Sequence, residues 1–262
     1  MAVHPTRHGP WAVVTGAAQG LGAEYARQLG AAGLSLVLVD IDAAGLEAQT
    51  ATLRAAGVDV VPVTLDLAAP APAAAIQAAL GDRQVGLLVC NAALSLVGQF
   101  LQHPIADHQR VLAVNAAATL DLVHAFARPM AERGNGGVVL MSSMAGFQGT
   151  ARVLSYSATK AFLLALGEGL GAELGPSGVD VLVVAPGATK TPTYLATEPK
   201  DDTGPLMEPS EVVQEALRAL GRRPVLVAGR GNRAAQLLLS RLLPRRLAVW
   251  IMARAMAARY PD

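Results

Sequence analysis

Four residues stand at spacings that could run a proton transfer. Tyr156 and Lys160 lie four apart in Tyr156-Ser157-Ala158-Thr159-Lys160, a stretch of helical character. At that separation two side chains share a helix face, about one turn apart. An ammonium beside a phenol favours the phenolate and brings tyrosine toward proton exchange nearer neutral pH. Ser143 stands thirteen residues before the tyrosine, just past the apolar run Val138–Met141. Open α/β sheets gather ligands at such strand ends, where a hydroxyl can hydrogen-bond a substrate oxygen. Asn115 falls inside a long helical stretch, where asparagine is not a favoured filler. Its amide is a candidate to hold a water that links Lys160 to solvent. Each residue also has an ordinary reading: a solvated Tyr/Lys face, a serine turn, an exposed helical asparagine.

A second constellation lies near the N-terminus. Thr15-Gly16-Ala17-Ala18-Gln19-Gly20-Leu21-Gly22 separates an apolar run from a helical stretch. Glycines at such a turn let backbone approach a pyrophosphate and let helix pack close to strand. The helix N-terminus offers unpaired N–H groups and a positive dipole end to phosphates. Gly16, Gln19, Gly20, Leu21 and Gly22 are the candidate cofactor residues of this turn. Asp40 ends the next apolar run, 18 residues beyond Gly22, near the spacing of an acid that binds ribose hydroxyls. Its carboxylate would repel a 2′-phosphate. Gln19 and Ile41 beside it supply no cation, so NAD is expected over NADP. Asp42 reads instead as the N-cap of the following helix. Asp66, followed by Leu67, ends a third run and could hold an adenine amino group. Asn91-Ala92-Ala93 follows a fourth; small residues let backbone lie close to adenosine, and Asn91 would pin neighbouring strands.

The elements that must position these groups alternate along the chain. Ala12–Thr15, Ser35–Val39, Val58–Thr64, Val85–Cys90, Val138–Met141, Val179–Val184 and Val225–Ala228 read as strands. They are continuous apolar runs, as expected when helices cover both faces of a parallel sheet. Leu21–Ala32, Ala43–Ala56, Ala71–Leu80, Asp107–Arg133, Ser155–Leu174 and Pro209–Leu220 read as helices. The alternation predicts an α/β fold: a doubly wound, Rossmann-type parallel sheet of about seven strands with helices on both faces. Residues 1–229 are expected to form this single catalytic domain, and 230–262 a basic amphipathic helical extension packed on or beside it. Thr189 to Glu208 is long and punctuated by Pro192, Pro199 and Pro205, with Asp201-Asp202 between; such loops often act as lids. Leu94, Leu96, Val97, Met144 to Gln148, Val153 and the 189–208 loop with Tyr194 and Leu195 are expected to line the substrate pocket. Their apolar character favours a hydrophobic carbonyl compound or alcohol.

Composition bounds the rest. The chain has 262 residues, 52% hydrophobic and 16% charged. No uninterrupted apolar run reaches about 18 residues, so no spanning helix is expected. Met1 to Pro10 lacks a signal-peptide core, which makes a cytoplasmic location the expectation. Cys90 is the only cysteine, so no internal disulfide forms, and its apolar run places it in a buried strand. A net charge of +1 gives no nucleic-acid footprint. The five histidines form no metal-ligand set with the lone cysteine. The tail is unusual: arginines 230, 233, 241, 245, 246, 254 and 259 face only Asp262, among apolar residues such as Leu237, Leu242, Leu247 and Trp250. It could close over the site, contact a partner, lie on a membrane surface, or simply pack on its own domain with arginines outward. Ala158, Ala161, Ala165, Gly169 and Ala172 would permit close helix packing between subunits, so a homodimer or homotetramer is expected.

Taken together, these residues resemble the short-chain dehydrogenase/reductase family. The resemblance rests on Thr15–Gly22, Asp40, Asp66, Asn91-Ala92, Asn115, Ser143, Tyr156–Lys160 and Pro186-Gly187-x-x-x-Thr191, and covers about residues 8 to 228. It implies Tyr156 as general acid/base, and Lys160 as both pKa-lowering charge and ribose ligand. It implies Ser143 as stabiliser of the substrate oxygen and Asn115 as part of a proton relay. Backbone around Gly187–Thr189, with Thr191, would bind the nicotinamide carboxamide, and Pro186 is a further cofactor-binding candidate. The implied reaction is reversible hydride transfer between NAD and a secondary alcohol or ketone. The family's Asn-Asn-Ala-Gly is Cys90-Asn91-Ala92-Ala93 here, and the tail beyond about residue 230 has no counterpart in the family core. An S-adenosylmethionine methyltransferase would share the glycine-rich turn but would not need Tyr156, Lys160, Ser143 and Asn115 together. A non-catalytic NAD-binding regulatory or scaffold protein on the same fold is the alternative.

Overall fold

Seven short runs rich in valine and leucine hydrogen-bond into one sheet in the computed structural model, which describes residues 3–200 and 206–260. Asp201, Asp202, Pro205 and Asp262 lie outside the described residues. The strands are β1 (Trp11–Thr15), β2 (Ser35–Asp40), β3 (Val60–Thr64), β4 (Val85–Cys90), β5 (Gly136–Met141), β6 (Val179–Ala185) and β7 (Val225–Val227). All pair in parallel, in the order β3-β2-β1-β4-β5-β6-β7. The strand order reverses between β1 and β4, where open α/β sheets place their ligands.

The helices, in chain order, are α1 (Pro5–His8), α2 (Gly20–Ala31), α3 (Ala43–Ala55), α4 (Pro72–Leu80), α5 (Ile105–Leu112), α6 (Ala118–Arg133), α7 (Leu154–Leu174), α8 (Pro192–Leu195), α9 (Pro209–Ala219), α10 (Arg230–Leu237) and α11 (Arg245–Arg259). Successive strand residues point to opposite faces, and both faces are apolar. Val14, Leu36, Leu38, Val89 and Val184 meet Tyr25, Leu29, Leu46 and Val213 from α2, α3 and α9. Val13, Val37, Leu88, Leu140 and Val183 meet Ile76, Leu122, Phe126, Met130 and Leu164 from α4, α6 and α7. This two-sided burial is why the strands read as unbroken apolar runs. Cys90 is buried at the end of β4, as expected, and burial pushes its thiol up to about 12.

Three local features depart from the sequence expectation. The third strand begins at Val60, because Gly57 takes a positive φ and the Val58 N–H closes back on the Leu53 carbonyl at the end of α3. The helical stretch expected over Asp107–Arg133 is α5 and α6 joined through a π-helical turn, Ala113–Ala117. Together they make one helix of 29 residues, Ile105–Arg133, long and apolar enough to cross a membrane by length and composition. Half of its most apolar window is buried, and α6 packs on α4, β4 and β5, so its apolar residues serve the core. Finally, α1 braces the far side of the sheet: Arg7 donates both arms to the Asp180 carboxylate of β6 at 2.7 Å, and buried His8 meets the same carboxylate at 3.1 Å.

Candidate active site

The turn after β1 is shaped by what its glycines exclude. Gly16 and Gly20 have φ of +67° and +59°, a region that L side chains rarely adopt. A Cβ on Gly22 would stand 1.9 Å from the Gly16 carbonyl oxygen, so α2 can approach β1 only without one. The N-cap of α2, Gln19, makes no capping hydrogen bond, and the first turn carries no acid. The helix end is therefore open to an anion. Thr15 and Asn91 tie the β1 and β4 ends together. The Thr15 hydroxyl accepts from the Asn91 and Ala92 N–H groups at 3.0 and 3.1 Å, and the Asn91 amide donates to the Thr15 and Gly16 carbonyls.

A cavity of about 530 Å³ runs across these strand ends. One end is lined by Asp40, Ile41, Asp66 and Leu67, the middle by Gly16, Gln19, Gly20, Leu21, Asn91 and Ala92. The other end holds Ser143, Tyr156, Lys160, Pro186, Gly187, Thr189 and Thr191. Asp40 accepts from the Ala18 and Asp42 N–H groups at 2.9 and 3.0 Å, so its carboxylate is fixed beside the glycine turn. Asp42 caps α3 through the Gly45 N–H, as expected. Asp66 accepts from the Ala68 N–H and from Arg110, both at 2.9 Å, and these hold its carboxyl below the usual range. The donor set fits a dinucleotide: a carboxylate where ribose hydroxyls would lie, uncapped N–H groups where phosphates would lie, and the loop from Pro186 to Thr191 lining the cavity beyond.

At the far end α7 presents Tyr156 and Lys160 on one face. Lys160 is buried; its Nζ donates to the Met141 carbonyl at 2.7 Å and sits 5.3 Å from the centre of the Tyr156 ring. Burial pushes its ammonium down to about 8, and nearby Cys90 acts the other way. Tyr156 is half-buried. Burial pushes its phenol above the usual tyrosine range, hydrogen bonding by Ser143 pulls it down, and Tyr260 adds to the rise. The sequence expectation was a phenol dominated by its lysine; here burial dominates. Ser143 caps a short 3-10 turn by accepting from the Ala145 N–H. Ser142, its neighbour, donates to the Lys160 carbonyl at 2.7 Å and locks α7 to the β5 end.

Two expected site residues do not line the cavity: Gly22, which acts through helix packing, and Asn115. Asn115 lies in the π-helical turn and is almost fully buried. Its Oδ1 accepts from the Leu94 N–H at 2.8 Å, and its Nδ2 donates to the Leu94 carbonyl at 2.9 Å and to Thr159 Oγ1 at 3.1 Å. Both amide protons are spent, so the amide anchors the loop after β4 to α7 instead of donating to a water. Of the expected pocket residues, Leu94, Met144, Ala145, Val153 and Tyr194 line the cavity, whereas Leu96, Val97, Gly146, Phe147, Gln148 and Leu195 do not. Thr193 and Thr197 of the 189–208 loop also line it, as that expectation has it; reasoning from sequence missed Ser95, Arg110, Thr150 and, from the tail, Met252, Met256, Arg259 and Tyr260. The tail is strapped down by Tyr260, whose hydroxyl meets Thr197 Oγ1 at 2.9 Å, and by the Arg259 carbonyl, which accepts from the Lys200 N–H. Asn232 of α10 fills the space above Gly187, where a Cβ would meet its side chain at 2.6 Å.

Comparison with known proteins places this geometry. The sequence profile of a family described as short chain dehydrogenase matches residues 10–202. A 7beta-hydroxysteroid dehydrogenase of Collinsella aerofaciens is 29% identical over 233 residues, covering 87% of this chain and 89% of the relative. A solved structure of a 7beta-hydroxysteroid dehydrogenase superposes with a TM-score of 0.89 at 27% identity, over 95% of this chain and 98% of that one. A short-chain dehydrogenase from Sphingobium yanoikuyae in complex with NADPH gives a TM-score of 0.78 at 36% identity, over 89% of this chain and 94% of that one.

Proposed function

The chain belongs to the short-chain dehydrogenase family, and from that premise we propose an NAD-preferring oxidoreductase acting on a secondary alcohol or ketone carried by a bulky apolar body, of which a hydroxysteroid is the leading example. One observation carries the reading. A single cavity joins Tyr156, Ser143 and Lys160 to an apolar outer wall of Leu94, Met144, Val153, Met252 and Met256. A bound nicotinamide dinucleotide supplies the hydride acceptor or donor. The protein's own work is protonic and positional. In oxidation Tyr156, as phenolate, takes the proton of the substrate hydroxyl; in reduction it returns one to the carbonyl oxygen. Ser143 donates a hydrogen bond to the same oxygen. The Lys160 cation lies beside the ring and favours the phenolate.

The NAD preference rests on Asp40, since its fixed carboxylate repels a 2′-phosphate. Of the cations that line the cavity, Arg110 is engaged by Asp66, Lys160 by the Met141 carbonyl, and Arg259 comes from the tail. The relatives named above with 7beta-hydroxysteroid activity support the substrate class. An apolar face on α7, with Ala158, Ala161, Phe162 and Ala165 exposed, supports a homo-oligomer. The test is a side-by-side fluorescence titration with NADH and NADPH, on wild type and Asp40→Ala, followed by turnover of a hydroxysteroid panel. Tighter NADH binding, relaxed by Asp40→Ala, with turnover of apolar alcohols, is expected. Tighter NADPH binding overturns the cofactor assignment, and turnover of small charged acids alone overturns the substrate class.

A further inference from the structure

From Ala216 to Pro261 the sequence holds ten arginines and no aspartate or glutamate. The structure sorts this segment into two faces. Met252, Met256 and Tyr260 turn toward the active-site cavity. On the opposite side of α11, Leu247, Trp250 and Arg254 follow one another at i, i+3 and i+7 and are all exposed, Trp250 at 54%. The Arg254 guanidinium lies 5.1 Å from the centre of the Trp250 ring. The π-helical turn Leu238–Leu242, which contacts α11, adds exposed Leu238, Arg241 and Leu242. Arg245 and Arg246 are exposed at the start of α11. These leucines and a tryptophan stand in solvent among the described residues, on a segment whose charged residues are all arginine, and form an exposed apolar patch with a basic frame.

We propose that this outer face of the tail docks on an anionic lipid bilayer. Buried apolar side chains and a basic rim are the two components of interfacial binding. Tryptophan fits the boundary between headgroup and acyl chain. A second copy of the chain is disfavoured on charge, since an isologous contact would set these arginines against themselves. The same helix that docks also roofs the cavity, so a hydrophobic substrate would reach the site from the bilayer. That last step rests on the function proposed above; the docking does not.

The test is flotation with vesicles of phosphatidylcholine alone or mixed with phosphatidylglycerol, combined with quenching by brominated acyl chains. The chain has two tryptophans. Trp11 is buried, with Arg83 stacked over it, so Trp250 is the one exposed to quencher. Wild type should float with anionic vesicles only, lose binding in high salt and show quenched emission. Arg245→Gln and Arg246→Gln should weaken binding roughly fivefold for each charge removed. Leu247→Ser/Trp250→Ser should abolish flotation while retaining NADH affinity and turnover of a soluble ketone, which shows that it is folded. Absence of flotation with anionic vesicles, or flotation unchanged in both sets of variants, overturns the proposal. So does light scattering in which wild type forms an oligomer that Leu247→Ser/Trp250→Ser dissociates without any vesicle binding, because the face would then be a self-interface. Flotation without turnover of any alcohol would sink the enzymatic reading and leave the docking standing.

Discussion

Tyr156 lines the cavity with Ser143, which hydrogen-bonds its phenol, and is proposed to exchange the proton of the substrate oxygen, so its loss should be specific. Tyr156→Phe keeps the ring against Lys160 and removes the hydroxyl. A positioned acid/base contributes about 10²–10⁴ in rate, and kcat should fall by at least that much while NADH affinity stays within about twofold. A variant with near-normal kcat in steady-state assay refutes the role. Lys160 makes a separate prediction about stability. Its pKa is about 8 in the folded empty enzyme and near the ordinary lysine value when unfolded. Between those two values the unfolded chain holds more protons, so folded stability rises with pH across that window and carries the full cost of the buried ammonium below it. Melting temperatures of wild type minus Lys160→Met, which cancels the shared high-pH contribution of Cys90, should climb from pH 8 to pH 10. A flat difference would mean that Lys160 is not buried as a charge. Tyr156, Lys160 and Ser143 were legible because their spacing to one helix and one strand end is fixed by backbone geometry. The direction of the Tyr156 pKa was not, because it depends on how much protein covers the ring, and Tyr260 arrives from the far end of the chain.

At the scale of elements the sheet was readable and the π-helical turn was not. Unbroken apolar runs identify strands covered on both sides, and the glycine turn and Asp40 follow from the strand ends they occupy. Ala113–Ala117 has the composition of ordinary helix, and nothing in its residue types signals the extra residue in its turn. That turn sets Asn115 against both the loop after β4 and α7. Asn115→Ala would strand the N–H and carbonyl of Leu94 and free Thr159 Oγ1. Unmet polar groups of this kind cost about 1–3 kcal/mol each, so a loss of roughly 2–4 kcal/mol of stability is expected in urea unfolding. The KM for ketone should rise as well, because Leu94 lines the cavity. Asn115→Asp keeps the acceptor for the Leu94 N–H but loses both donors, and should fall between wild type and alanine. Equal stability of all three proteins would show that the amide anchors nothing.

At the scale of the whole molecule, a domain ending near residue 229 followed by a basic helical tail was the expectation; the tail does form helices, α10 and α11, but which of its faces turns inward was not legible. Arginine and leucine alternate too closely in 237–254 for the pattern alone to choose; packing chooses, through Asn232 over Gly187 and Tyr260 on Thr197. The structural match that covers 95% of this chain also extends into the tail, so the segment is not foreign to every relative. The functional division is nonetheless sharp. Every expected cofactor residue comes from Gly16 to Thr191, whereas Met252 and Met256 belong to the outer wall where an apolar substrate would lie. Removing residues 244–262 should therefore separate the two halves of the site. The loop carrying Thr189 and Thr191 has its own anchor, a backbone bridge from Thr189 to Met207 and the Lys190 N–H bonded to the Met207 carbonyl. Asn232 stays in place over Gly187. NADH affinity should then change by no more than about threefold. A buried methionine side chain is worth about 1.5–3 kcal/mol, and losing two from the substrate wall should raise KM for an apolar ketone tenfold or more. Isothermal titration with NADH and steady-state kinetics on the same preparation read the two halves independently. Parallel losses in both would make α11 a support for the fold as a whole, and a loss confined to KM makes it the wall that selects the substrate.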